Sequence, residues 1–87
     1  MRGRSLVGLN IRRIRVAQQV SQERLAFDAG VDRSYLGGME RGEENPTVDI
    51  LERIAGTLGV RLGELFLEPG GQEQMRTLPR GRKASSR

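Results

Sequence analysis

The chain has no cysteine and no histidine among its 87 residues. Without cysteine there is no disulfide, thiolate zinc site or thiol nucleophile. Without histidine the commonest acid–base group and metal ligand is missing. An enzyme is therefore not expected, and neither is a metal site or a cofactor. Aromatic side chains are scarce, with only Phe27, Tyr35 and Phe66 present. No apolar run is long enough to span a membrane, and the basic N-terminus lacks the apolar stretch of a signal peptide. A cytoplasmic protein is the expectation. A chain of this length allows one small domain and no separate ligand-sensing domain, so no small-molecule ligand is expected.

What is present is charge, unevenly placed. The net charge is +4. Residues 69–87 hold Arg76, Arg80, Arg82, Lys83 and Arg87 against Glu73 alone, so they account for the whole surplus. Residues 1–68 balance, but not evenly: residues 1–16 carry five arginines and no acid, while residues 17–68 sum to minus five. An anionic partner would meet a strongly uneven field.

Apolar spacing predicts helices only. Val7, Ile11 and Ile14 define a first helix over about Leu6–Gln19, with Ser5 as its cap. Ser21 caps a second, with Glu23 in its first turn, Leu25, Ala26 and Ala29 as its buried stripe and Gly30 as a left-handed stop. Asp32 caps a third that ends near Arg41 and Gly42. After the connector "EENPT", Thr47 caps a fourth whose stripe is Ile50, Leu51, Ile54, Ala55 and Leu58, closed by Gly59. Val60, Leu62, Leu65 and Phe66 suggest a last short helix ended by Pro69. From Gly70 the composition turns to Gly, Gln, Ser and Arg, which predicts a disordered basic tail over 70–87 behind a domain of residues 1–69. The tail is either a non-specific electrostatic tether or a solubilising end.

The stretch "QERLAFDAGVDRSYLGGMER" has the spacing of a helix-turn-helix over about 21–41: two short helices flank a turn at Gly30 that needs positive φ. Here the chain resembles the phage repressor and Cro-like regulators of the xenobiotic-response-element type. The resemblance runs from about Val7 to Phe66 through "SQERLA", "GVDRSYL", "MERG", "NPT" and "LERIAGTLGV". It implies an all-α, compact five-helix lambda-repressor-like domain whose third helix enters the DNA major groove.

The wheel of that third helix can be drawn without the resemblance. At about 100° per residue, Leu36 and Met39 point inward. Ser34, Gly37, Gly38 and Arg41 lie on the opposite side, with Arg33 and Tyr35 flanking. The two glycines are expected on the exposed face, where they either let the backbone approach base edges or are simply tolerated. Base readout is assigned to Arg33, Ser34, Gly37 and Gly38, because arginine can pair with guanine and serine serves several bases. The resemblance adds Gln22, Tyr35, Arg41 and Asn45 as phosphate contacts. Gln22 could also be a plain first-turn polar residue, and Tyr35 a cover for the core edge. It further implies that Arg15 and Glu40 pair across the first and third helices. Glu43 and Glu44 depart from the pattern, since relatives often carry basic residues there and carboxylates repel phosphates.

A sequence-specific DNA-binding transcriptional regulator is the leading reading. Members of the family pair through C-terminal helices and bind palindromic operators as homodimers, and Leu62, Leu65, Phe66 and Leu67 form an apolar excess that suggests the dimer interface. Controller protein of a restriction–modification system, phage repressor and antitoxin all remain open as the biological role. The alternative is a protein-interaction module or antitoxin that retains the fold with weak DNA binding.

Overall fold

The structure, a computed structural model, describes residues 2–69. The expected basic tail at 70–87 lies outside the described residues. Four α-helices follow one another: α1 (Gly3–Ala17), α2 (Gln22–Ala29), α3 (Arg33–Glu40) and α4 (Val48–Leu58). A short 3-10 helix, η1 (Leu62–Phe66), closes the domain, and there is no strand among the described residues.

Local chemistry sets the boundaries. Ser21 accepts a hydrogen bond from the Arg24 N–H, Asp32 from that of Tyr35 and Thr47 from that of Ile50. Each satisfies one of the orphan donors of a helix start. Gly30 takes φ 72°, and the Val31 N–H reaches back to the Ala26 carbonyl at 2.9 Å. This left-handed stop turns the chain between α2 and α3 within a few residues.

Two boundaries differ from the sequence reading. α1 begins at Gly3 rather than behind Ser5, with Arg2 in the cap position and no side-chain cap. The fifth helix is not an α-helix. Five residues containing Gly63 are too few to repay α-helix nucleation, and the tighter 3-10 turn suffices to bring Leu65 inward.

One core joins all five elements. Ile11 of α1, Leu25 of α2, Leu36 and Met39 of α3, Ile54 of α4 and Leu65 of η1 are its fully buried large side chains. Burying each contributes roughly 1.5–3 kcal/mol relative to exposure. Two contacts fix the frame around it. At the α1–α3 crossing, Gly8 lies directly against the carbonyl oxygens of Met39 and Glu40. At the far end, the Asn10 amide donates to the carbonyl oxygens of Leu6, Leu65 and Leu67 at 3.1, 3.0 and 2.8 Å. Asn10 is only 2 % exposed, so those bonds are what makes its burial tolerable.

Candidate nucleic-acid interface

The start of α3 stands free. Arg33 and Ser34 are exposed in its first turn, immediately after the Asp32 cap. Leu36 and Met39 hold the opposite side in the core. Arg33 and Ser34 are thus held in place by the packing of α3 while their side chains stay exposed.

Glu40 is the hub behind this surface. Its carboxylate accepts from Arg15 Nε at 2.7 Å and from Arg15 Nη2 at 3.0 Å. Gln22 Nε2 donates to the same carboxylate at 2.9 Å. The two side chains of the ion pair are 13 % and 2 % exposed, which leaves little solvent screening. One carboxylate therefore orients α1, α2 and α3 against each other. It also fixes the Gln22 amide, because a carboxylate accepts only and so must face the NH2 group. One N–H and the oxygen of Gln22 have no hydrogen-bond partner among the described residues.

Gly37 and Gly38 lie on the expected side of α3 but are buried, not exposed. The reason is that other side chains lie across them. A Cβ at Gly37 would stand 3.3 Å from Arg41 Nη1 and 3.8 Å from Gln22 Oε1. A Cβ at Gly38 would stand 2.8 Å from Glu44 Cγ and 2.9 Å from Glu44 Oε2. The glycines leave seats for Arg41, Gln22 and Glu44. Bare backbone is not what an approaching base would meet, so the close-approach reading of the two glycines is set aside.

The remaining expected contacts are distributed as follows. Arg41 is exposed, and its Nε donates to Glu43 Oε1 at 3.1 Å, so part of its charge is already engaged. Asn45 is exposed in the loop after α3. Tyr35 packs its ring against the core edge. The sequence alone presents Glu44 only as a source of repulsion toward phosphate. Its seat on Gly38 depends on how the 41–47 loop folds back, which no local pattern encodes.

The apolar excess near the C-terminus divides in two. Leu65 is 0 % exposed and is a core residue of the monomer, so it is withdrawn from the interface set. Leu62 is half-buried against the core, and Leu67 is half-buried. Phe66 is 45 % exposed, and Val48, at the start of α4, is 60 % exposed. Both line one shallow hollow together with Val7, Leu51 and the start of α1. Val48 is not legible as part of this surface in the sequence, because it precedes the buried stripe of its helix.

No helix among the described residues is long and apolar enough to cross a membrane. No group of three or more acidic residues that could hold a metal occurs among them.

Known proteins share this arrangement. A helix-turn-helix family model matches residues 11–65. The control protein C.BamHI of Bacillus amyloliquefaciens is 39% identical over 74 residues, covering 82% of this chain and 91% of that protein. The crystal structure of the restriction–modification controller protein C.AhdI from Aeromonas hydrophila superposes with a TM-score of 0.71 at 41% identity, over 72% of this chain and 96% of that one. The controller protein C.Esp1396I, solved as a tetramer with its natural 35 base-pair operator, matches with a TM-score of 0.69 at 35% identity, over 76% of this chain and 87% of that one. These relatives are regulators rather than enzymes, and so is this protein. The capped helix pair, the Gly30 turn and the family match lead to one conclusion: the chain belongs to the helix-turn-helix family of phage-repressor and Cro-like transcriptional regulators.

Proposed function

We propose that the protein binds a two-fold operator in double-stranded DNA as a homodimer and regulates transcription in the manner of a controller protein, in the cytoplasm and at the nucleoid. The observation that carries this reading is the exposed first turn of α3, with Arg33 and Ser34 free and Leu36 and Met39 locked into the core. Such a turn reaches base edges when the helix lies in the major groove. Arg33 offers a bidentate partner for guanine, and Ser34 a donor or acceptor for several bases. Gln22, held by Glu40, and Arg41 and Asn45 flank that turn and supply phosphate contacts, which position without specifying. Tyr35 serves mainly as packing.

The second protomer docks on the apolar surface formed by Phe66, Leu67 and Val48. Pairing through one self-complementary patch matches the two-fold symmetry of a palindromic site.

Selection of bound sites from a random duplex pool tests both parts. A palindrome should be recovered. Arg33→Ala should then lose about 1–3 kcal/mol of discrimination at one base pair in each half-site, whereas Asn45→Ala should weaken all duplexes evenly. Recovery of no preferred sequence would refute the reading. The rival, a protein-interaction module, is favoured by one feature, the Glu43–Glu44 pair beside α3. It predicts DNA affinity without the steep salt dependence that phosphate neutralisation produces.

A further inference from the structure

We propose that Glu44 is a specificity-determining residue that reads a cytosine in each half-site by accepting a hydrogen bond from the N4 amino group of the base. The inference rests on the DNA-binding reading above and deepens it.

Three observations converge on Glu44. The first is position. The side chain leaves the loop after α3 and returns across Gly38, with Cγ and Oε2 only 2.8 and 2.9 Å from where a Cβ would stand. On the helical wheel Gly38 lies on the side facing away from Leu36 and Met39, the side that also carries Ser34. The carboxylate therefore sits among the base-reading groups.

The second is accommodation. α3 carries a glycine where a Cβ would displace the Glu44 side chain from its present course. A glycine inside an eight-residue helix costs roughly as much as a helix interior can lose short of proline. The present course of Glu44 thus coincides with a residue that local helix propensity disfavours.

The third is pairing. Glu43 engages Arg41 and Glu40 engages Arg15. Glu44 has no ion-pair partner among the described residues. Its charge is left for whatever approaches α3.

The chemistry of the major groove then selects the partner. Phosphate is excluded, because like charges repel. Guanine presents acceptors only, and so does the O4 of thymine. Adenine presents an amino group, but beside the N7 acceptor, which faces the second carboxylate oxygen unfavourably. Cytosine presents the N4 amino donor with no acceptor of its own beside it. It is the natural partner of a carboxylate in this groove. Two carboxylates near DNA thus have separate roles: Glu43 tempers Arg41, and Glu44 reads.

The test is selection from a random duplex pool with four full-length proteins, followed by titration against duplexes altered at one base pair. The wild type should select cytosine at one position of each half-site, beside the position read by Arg33. Glu44→Gln, which keeps an acceptor and adds a donor, should move that preference from cytosine to adenine. Glu44→Ala should flatten it by about tenfold and leave the other positions alone. Gly38→Ala keeps the carboxylate but fills its seat, and it should flatten the same position with the thermal transition retained. If Glu44→Ala instead raises affinity for every duplex by one common factor and the selected sequence does not change, the carboxylate only repels and the proposal fails. A wild type that selects no sequence overturns the DNA-binding reading itself, and this proposal with it.

Discussion

Gly8 in α1 touches the main-chain carbonyl oxygen of Met39 in α3, and a methyl group on Gly8 would overlap it. Two helices whose backbones meet have no side-chain rotamers between them to absorb an insertion. Gly8→Ala must push α3 outward, and overpacking of this kind should cost about 3 kcal/mol. Thermal denaturation should show the transition falling by ~15 °C. Gly56→Ala is the matched control. It also lies within a helix, but nothing stands within 4 Å of its Cβ position. That change should stabilise the protein by roughly 1 kcal/mol.

Removing Arg15 leaves the Glu40 carboxylate nearly buried, with Gln22 as its remaining partner. Arg15→Ala should destabilise by about 3 kcal/mol, and Glu40→Ala by a similar amount. The double variant should cost clearly less than the two together, because neither charge is then stranded. Urea titration of the four proteins measures the coupling. Strictly additive losses would mean that the pair acts through packing alone.

Asn10 holds η1 by its main chain. Asn10→Ala strips the hydrogen-bond donor from the Leu65 and Leu67 carbonyls and leaves a buried gap. About 2–3 kcal/mol should be lost. The loss should be local in character: amide exchange of residues 62–67 should accelerate more than that of α2 or α3. Uniform acceleration would show that the clamp supports the whole core rather than its last segment.

Phe66 and Leu65 are neighbours with opposite environments, and one substitution separates their roles. Phe66→Glu should give a folded monomer in sedimentation, with its helical signal intact. Leu65→Glu should not fold, because it places a charge where exposure is 0 %. Val48→Glu should behave as Phe66→Glu does. A dimer that survives both surface changes would place the interface elsewhere.

Much of the frame is legible in the sequence because its signals are local. Ser21, Asp32 and Thr47 cap the helices that follow them, and Gly30 makes the turn that its position demands. The Arg15–Glu40 pair follows from the family resemblance, and the structure forms it. Gly8 was not legible, since a glycine in a basic helix gives no hint that a distant carbonyl lies against it. Helical spacing puts Gly37 and Gly38 on the right side of α3 but as bare backbone, because it describes one helix and not the side chains that fold over it from elsewhere. Leu65 and Phe66 could not be told apart for a related reason. In so short an apolar cluster, only the 3-10 turn and its tie to Asn10 decide which one faces inward.

The Asn10 clamp also bears on synthesis. Its partners at Leu65 and Leu67 lie 55 and 57 residues further along the chain. While the protein is being made, α1 leaves the ribosome early, with only the Leu6 carbonyl of its own helix to receive the Asn10 amide. Every other element is complete before the bonds to Leu65 and Leu67 can form. A polar group whose distant partners lie in the last segment of the domain completes its hydrogen bonds only after Leu67 has emerged. The join between α1 and η1 is thus the last part of the domain that can close.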